Sequence, residues 1–395
     1  MKNKTAAPVE EPRALPYEKA MISKSHIAVT TPSGKAGRFA AALRILEEAI
    51  ATRAFPGCAF GVLAGGKVIL QGGMGRFSYE EDAPVVAAET VYDVASLTKV
   101  VATTATAMLL VERKQLDLDM PLGELLPGFV AGRKAADLAR TVTLRHLLAH
   151  SSGLPGYIGL FRTASTPDAL FRACLELPLQ AEPGTRAEYS DPGFILLGKA
   201  LEVVAGVGLA SWTTREVFEP LSMTATRFCP PPGARSAIPP TEEDVTFRHR
   251  RIQGEVMDEN AWVMGGVAGH AGLFSNVPDL LRFSAAILRS AKATGSDAML
   301  SLFDPSVLQQ FSRRQPPEGS WQALGWDTPS EPSSSGRHFS QHSVGHLGYT
   351  GCSLWIDLDA AVGVVLLTNR TWPDRKSQLI HQVRPAFHNA VRKCI

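Results

Sequence analysis

The chain has 395 residues, of which 45% are hydrophobic and 20% charged, with 40 basic and 38 acidic side chains and a formal net charge of +2. These values are ordinary for a folded chain and exclude a disordered protein, a collagen and a disulfide scaffold. The nearly balanced charge, without a basic block, is not typical of a nucleic-acid-binding protein.

Residues 1–34 are polar and rich in proline, and we predict a flexible leader there, followed by one catalytic domain over residues 35–395. The leader lacks the apolar core of a secretory signal, and no stretch reaches the roughly 18 apolar residues of a membrane-spanning helix. The five cysteines are scattered and odd in number, which favours reduced thiols. We therefore expect a cytoplasmic protein without a membrane span.

Two kinds of apolar pattern follow the leader. Helical spacing occupies about residues 38–50, and two apolar runs around the glycine pair at 65–66 predict a β-hairpin. A second pair of apolar runs lies within residues 353–368 and precedes a last helix over about 376–393.

Strands at both ends of the chain and a mostly helical middle predict one sheet built from the two termini. We place the sheet lobe at about 35–90 and 345–395, and a helical lobe with insertions at about 91–344. Two stretches without clear periodicity, 229–240 and 313–343, are predicted loops.

Histidines spaced by four positions are the first candidates for a metal site. His146 and His150 form one set, and His338, His342 and His346 form another. On a helix either set can hold zinc, but glycines surround the second set and no carboxylate or thiol accompanies the first. We predict no metal and no cofactor.

The strongest local signal is Ser96-Leu97-Thr98-Lys99, which precedes a long apolar stretch. The i, i+3 spacing places Ser96 and Lys99 on one helix face. Burial favours the neutral form of a lysine, which can then accept the proton of the serine and activate it as a nucleophile. Alone, the pattern is equally explained by an N-cap serine and a lysine that extends to solvent.

Two further motifs follow in order, Tyr-Ser-Asp at 189–191 and His-Leu-Gly at 346–348. With the SxxK motif at 96–99 they make the chain resemble the serine β-lactamase and penicillin-binding-protein superfamily, on its class C, DD-peptidase and family VIII carboxylesterase side. The resemblance covers about residues 55–369 and includes the stretches TLRHLLAHSSGLP and GGVAGHAGLFS. It implies an α/β fold of the α+β type, with an antiparallel sheet flanked by helices, a helical lobe and the site in the cleft between the lobes.

The resemblance implies a role for each matching residue. Ser96 is similar to the acylating nucleophile of the family, Lys99 to the partner that takes its proton, and Tyr189 to the residue that passes a proton to the leaving group. The backbone N–H groups of Ser96 and Tyr349 are implied to form the oxyanion hole, where one donor is typically worth about 3 kcal/mol. Gly348 is expected to let the strand approach the substrate closely.

The third motif departs from the pattern of many β-lactamases, which have lysine in place of His346 and a hydroxyl residue in place of Leu347. In those enzymes the cation and the hydroxyl help to hold the carboxylate of the substrate. A leucine and a neutral histidine offer neither, so we expect anionic substrates to bind less well, whereas a neutral ester loses nothing.

The second motif ends in Asp191, where the family has asparagine. A carboxylate beside Lys99 favours the charged ammonium, which makes Tyr189, as a phenolate, the stronger candidate base. Asp191 alternatively points away and caps the turn before Pro192. The glycine-rich block around His270 is expected to be a structural turn, with a functional His270 as the alternative.

We therefore expect a serine hydrolase that acts on short-chain carboxylic esters through a Ser96 acyl-enzyme. The alternatives are a β-lactamase and a DD- or D-amino peptidase, so the expected partner is a small-molecule ester, amide or lactam. A hypothesis from another class is a non-catalytic module that binds a peptide or a β-lactam in the cleft.

Overall fold

The structure, a computed structural model, describes residues 17–20, 27–32, 36–133, 136–295 and 301–395. Its centre is an antiparallel sheet whose strands lie in the order β1-β2-β4-β3-β12-β11-β10. The strands of this sheet are β1 (Tyr17–Ala20), β2 (Ile27–Pro32), β3 (Gly57–Ala64), β4 (Lys67–Gly75), β10 (Ser343–Leu347), β11 (Ser353–Asp357) and β12 (Val362–Thr368).

The prediction of one sheet built from both termini is confirmed, because the N-terminal strand β3 pairs with the C-terminal strand β12. Side chains alternate across β12, as the two-residue period of a strand requires. Val364 and Leu366 pack with α1 (Ala40–Ala51) and α12 (Ile380–Arg392) on one face. Val365 and Leu367 belong to the core of the helical lobe on the other face, to which α10 (Val277–Lys292) contributes.

Most of the remaining helices form the helical lobe between the two groups of strands. They are α2 (Ala105–Glu112), α3 (Leu122–Leu125), α4 (Ala136–Arg140), α5 (Leu144–Leu148), α6 (Pro167–Glu176), α7 (Asp191–Ala205), α8 (Leu209–Thr213), α9 (Glu259–Val263) and α11 (Pro305–Ser312). A π-helical segment, Lys99–Thr104, leads directly into α2, and every side chain in that segment is buried. The first motif therefore opens the central helix of the lobe.

Two small sheets complete the described architecture. One joins β5 (Tyr92–Asp93), β9 (Leu273–Ser275) and β6 (Arg227–Phe228), and the other joins β7 (Pro240–Asp244) and β8 (Arg250–Gln253). The pairing of β5 with β9 brings the chain just before Ser96 against the chain just after His270.

The N-terminal leader differs from its prediction where the structure describes it. Residues 17–20 and 27–32 form strands, and β2 pairs with β4, so backbone groups in this part of the leader are satisfied at the sheet edge. The rest of the predicted leader lies outside the described residues. Within the described ranges no single helix is long and apolar enough to cross a membrane, and one bent pair, Asp191–Ala205 with Leu209–Phe218, passes by length and composition only.

Candidate active site

The turn that carries Ser96 is held by a buried carboxylate. Asp93, at the end of β5, accepts the N–H of Ala95 at one oxygen (2.8 Å) and the N–H of Met257 at the other (2.7 Å). Ala95 has a left-handed φ of 48°, which turns the chain sharply before Ser96. Burial raises the pKa of Asp93 to about 6, against the effect of its two hydrogen bonds.

Lys99 is fully buried and links the first two motifs. Its Nζ donates to Ser96 Oγ at 3.0 Å, to Asp191 Oδ1 at 2.7 Å and to the backbone oxygen of His270 at 3.2 Å. An ammonium has three protons to donate, so this geometry matches the charged side chain. The Asp191 carboxylate stabilises this cation, as the sequence analysis expects of a carboxylate beside Lys99.

Asp191 therefore points into the site, and the alternative that it caps the turn before Pro192 is wrong. The cap of α7 is Ser190, whose side chain accepts the N–H of Gly193 at 3.1 Å. Because Ser190 caps the helix, the Asp191 side chain is free to accept the hydrogen bond from Lys99.

Tyr189 forms the wall of the cleft beside this pair. Its ring lies 4.6 Å from that of His150 and 5.8 Å from that of His346, measured between centroids, and Lys99 Nζ is 4.7 Å from its centroid. Burial and the charge of Asp191 raise the pKa of Tyr189 well above its ordinary value. A raised pKa favours the phenol over the phenolate, which stays a prediction for the base.

The glycine-rich block places His270 behind Lys99. The His270 side chain is almost fully buried and its Nε2 lies 2.9 Å from Asp258 Oδ1, while its backbone oxygen receives the Lys99 hydrogen bond. Burial alone would raise the pKa of Asp258, but the neighbouring His270 outweighs burial and lowers this pKa to about 2. The sequence reasoning missed Asp258, which the local pattern presents only as an N-cap of α9.

Gly348 brings the third motif against the turn that carries Ser96. A Cβ added to Gly348 would lie 2.5 Å from the backbone oxygen of Val94, so the close approach is to the protein's own backbone and no side chain fits. In the described parts of the chain, the N–H groups of Ser96 and Tyr349 donate no hydrogen bond to the protein. Both groups lie at the cleft, which Ser96 and Tyr349 line.

His346 and Leu347 lie on β10 at the same cleft. His346 is buried, and its Nδ1 lies 2.8 Å from the backbone oxygen of Leu347. Burial lowers the pKa of His346 against the opposing charge of Asp327. This histidine is therefore neutral near pH 7.

The cleft has a volume of about 640 Å³ and is lined by every predicted site residue except the buried Lys99. It is also lined by Arg370, Arg375 and Arg384, which the sequence reasoning missed and which the basic residues after β12 would have indicated. Arg375 is neutralised by Glu242 and Glu259, whereas Arg370 and Arg384 form no ion pair within the described residues. The cleft thus offers cations that the third motif lacks.

Among the residues that the structure describes, no group of three or more His, Cys, Asp or Glu side chains could hold a metal ion.

Comparisons with known proteins agree on one family. Residues 43–384 match the sequence family described as Beta-lactamase. An N-acetylmuramyl-L-alanine amidase of Bacillus subtilis is 30% identical over 359 residues, which cover 83% of this chain and 80% of that protein. A Salmonella paratyphi B protein with the provisional name of a D-alanyl-D-alanine carboxypeptidase is 30% identical over 306 residues, covering 71% of this chain and 69% of that protein.

A solved structure with the same fold is that of EstCE1, described as a hydrolase with promiscuous acyltransferase activity. EstCE1 is 21% identical to this chain and superposes with a TM-score of 0.71. The match covers 89% of this chain and 99% of the EstCE1 chain. This likeness concerns the fold and agrees with the antiparallel sheet flanked by helices.

Proposed function

Because the chain belongs to the β-lactamase family and is a serine-type hydrolase of that family, we propose that it cleaves short-chain carboxylic esters through an acyl-enzyme on Ser96. The observation that carries the proposal is the contact of 3.0 Å between Lys99 Nζ and Ser96 Oγ. The Tyr189 wall and the two free backbone N–H groups at the same cleft support it.

The proposed acylation transfers protons between Ser96, Lys99 and Asp191. Asp191 accepts a proton from Lys99, and the amine so formed takes the proton of Ser96 as Oγ attacks the carbonyl carbon. The N–H groups of Ser96 and Tyr349 stabilise the negative charge that develops on the carbonyl oxygen.

The neutral phenol of Tyr189 then gives its proton to the leaving alkoxide, which its high pKa permits only as the alkoxide forms. The Lys99 ammonium, whose Nζ lies 4.7 Å from the centroid of the Tyr189 ring, is proposed to return a proton to the Tyr189 oxygen and to regain one from Asp191. In the second half of the reaction water attacks the acyl ester and gives a proton to the Lys99–Asp191 pair. The bond between the carbonyl carbon and Ser96 Oγ then breaks, the carboxylic acid leaves, and the pair returns the proton to Oγ.

The preference for esters rests on the strand that borders the oxyanion hole. Leu347 and the neutral His346 give a substrate carboxylate neither a charge nor a hydroxyl. A neutral ester needs no such partner, and an ester is also easier to cleave than an amide.

A second candidate function is hydrolysis of a peptide amide that carries a carboxylate, and Arg370 favours it. This arginine lines the cleft without an ion pair within the described residues, so it can attract an anionic group. The amidase and the carboxypeptidase named above are also nearer to this chain in sequence than the hydrolase that shares its fold.

The test measures wild type and Ser96→Ala on p-nitrophenyl butyrate, nitrocefin and a D-alanyl-D-alanine peptide. Fast ester hydrolysis that depends on Ser96, with little turnover of the other two, supports the ester proposal. Faster cleavage of the peptide or of nitrocefin contradicts the ester preference and favours the second candidate or a β-lactamase.

A fluorophosphonate probe followed by mass spectrometry locates the nucleophile. We expect one adduct, on Ser96, in wild type and in the control Ser312→Ala, whose serine on α11 lies outside the cleft lining. A protein that binds ligands in the cleft, turns over none of the substrates and keeps its affinity in Ser96→Ala would instead be the non-catalytic module.

A further inference from the structure

Arg384 is a buried cation without an anion beside it. It lies on α12 and is only 4% exposed, and it forms no ion pair within the described ranges. Burial, together with the neighbouring Arg370 cation, lowers the pKa of Arg384 to about 10. An unpaired buried charge costs free energy that a neutral side chain would avoid, so the charge itself needs an explanation.

The hydrogen bonds of Arg384 all end on the turn that follows β10. Its Nη2 donates to the backbone oxygens of Gly348 at 2.6 Å and Cys352 at 2.8 Å, and its Nε donates to that of Gly351 at 3.2 Å. The turn also closes on itself, because the Gly351 N–H donates to the Gly348 oxygen at 3.0 Å. Three backbone carbonyl dipoles therefore surround the guanidinium where a carboxylate would usually pair with it.

The Gly348 oxygen and the Tyr349 N–H belong to the same peptide unit. A cation bound to the oxygen of an amide draws electron density from its nitrogen and makes the N–H a stronger donor. Tyr349 lines the cleft, and its N–H has no protein acceptor in the described parts of the chain. A stronger donor at this point helps most when the carbonyl oxygen of the substrate becomes negative.

We propose that Arg384 is a positioning residue that polarises the Gly348–Tyr349 peptide and so strengthens one donor of the oxyanion hole. The inference rests on the proposed Ser96 acyl-enzyme. It assigns to the C-terminal helix a part in the reaction, although Arg384 need not touch the substrate.

The peptide of the other donor shows the contrast. The Ser96 N–H shares its peptide with the Ala95 oxygen, which accepts the Thr98 Oγ1 hydroxyl at 2.6 Å. That hydroxyl in turn accepts the N–H of Leu273 at 3.1 Å. Both donor peptides are thus polarised through their own carbonyl, one by a neutral hydroxyl and the other by a full charge, and we expect Arg384 to matter more.

The test compares Arg384→Gln, Arg384→Lys and the control Arg392→Gln, with active sites titrated so that kcat refers to folded enzyme. Removing a whole oxyanion donor lowers kcat by about 10²–10³, and Arg384 supplies part of that strength. We expect kcat on p-nitrophenyl butyrate to fall about tenfold in Arg384→Gln, with KM within about twofold. Arg384→Lys, which keeps the charge, should lie between Arg384→Gln and wild type.

Arg392 is the matched control because it lies on the same helix, donates to the His338 backbone oxygen and pairs with Asp357 outside the cleft lining. Arg392→Gln should lower the melting temperature without changing kcat. Equal values of kcat in Arg384→Gln and Arg384→Lys would overturn the role of the charge.

Two readouts separate polarisation from a merely structural role. Guanidinium should restore kcat in Arg384→Ala more than urea, which has a similar shape without the charge. In rapid-mixing infrared spectra of a ¹³C-labelled acyl-enzyme, the ester carbonyl band should move to higher frequency in Arg384→Gln, because its hydrogen bond weakens. Equal rescue by urea, or an unmoved band, contradicts the inference. A wild type that forms no acyl-enzyme overturns the proposed function itself, and the inference with it.

Discussion

Two groups of charged residues line the cleft, here called the carboxylate end (Asp191 and Asp258) and the arginine end (Arg370 and Arg384), and their charges are paired differently. At the carboxylate end, Asp191 faces Lys99 at 2.7 Å and Asp258 faces His270 at 2.9 Å. At the arginine end, Arg370 donates to the Tyr349 oxygen at 2.8 Å, and Arg384 likewise donates only to backbone oxygens.

Pairing decides what each end can do. A charge with a buried counter-ion is compensated by it and orients its partner, as Asp191 does for Lys99. A cation that binds only peptide oxygens keeps its field, which reaches the peptide units around it and any anion in the cleft. In the proposed mechanism, compensated charges therefore set the nucleophile, while uncompensated ones serve the developing oxyanion.

The largest expected effect breaks the carboxylate end. Lys99→Gln removes the cation that bridges Ser96 and Asp191, and we expect kcat to fall by about 10³ because a positioned proton acceptor contributes 10²–10⁴. Asp191→Asn should cost about 10², since its amide oxygen still accepts a hydrogen bond from Lys99 but cannot take its proton. Steady-state kinetics on p-nitrophenyl butyrate measure both, and a larger loss in Asp191→Asn would contradict the order.

At the arginine end, Arg370→Gln should separate anionic from neutral substrates. A charge-assisted hydrogen bond is worth about 1.5–3 kcal/mol, so we expect kcat/KM to fall roughly 10–100-fold more for 3-butyryloxybenzoate than for 3-butyryloxybenzamide. The two esters differ only in charge, so any general damage to the turn cancels in the ratio. An unchanged ratio would remove Arg370 from substrate recognition.

A stability measurement tests the pairing of Asp258 with His270 at the carboxylate end. The pKa of Asp258 is lowered to about 2 in the folded protein, against about 4 in an unfolded chain, so its charge stabilises the fold above pH 4. Asp258→Asn should lower the free energy of unfolding by about 2 kcal/mol at pH 7. In urea titrations the gap should close as the pH falls from 4 toward 2. A gap that widens on acidification contradicts the pairing with His270.

The smallest expected effect tests the close contact between Gly348 and the backbone of Val94. Gly348→Ala places a Cβ 2.5 Å from the Val94 oxygen, and we expect a loss of about 1.5 kcal/mol of stability from overpacking together with a lower kcat. Gly233→Ala is the control because nothing lies within 4 Å of its Cβ position. Thermal unfolding compares the two, and equal changes would mean that Gly348 is not tightly packed.

Local geometry made much of this protein predictable from its sequence. The i, i+3 spacing of Ser96 and Lys99, the hairpin around residues 65–66 and the strands at both termini depend on neighbours along the chain. Short-range periodicity reports such features directly. The motif order also predicted which side chains meet at the cleft, and the roles of Ser96, Lys99 and Tyr189 stay predictions until they are measured.

Only the tertiary structure decided the charge states and the partners. Lys99 meets Asp191 across 92 positions, and this contact, with the backbone oxygen of His270, makes it a donor of three hydrogen bonds. Arg384 reaches the Gly348 oxygen across 36 positions. Backbone oxygens carry no residue identity, so no sequence pattern marks a side chain that binds them. The sequence by itself determined the family, the sheet and the order of the motifs, while packing determined which charges are compensated.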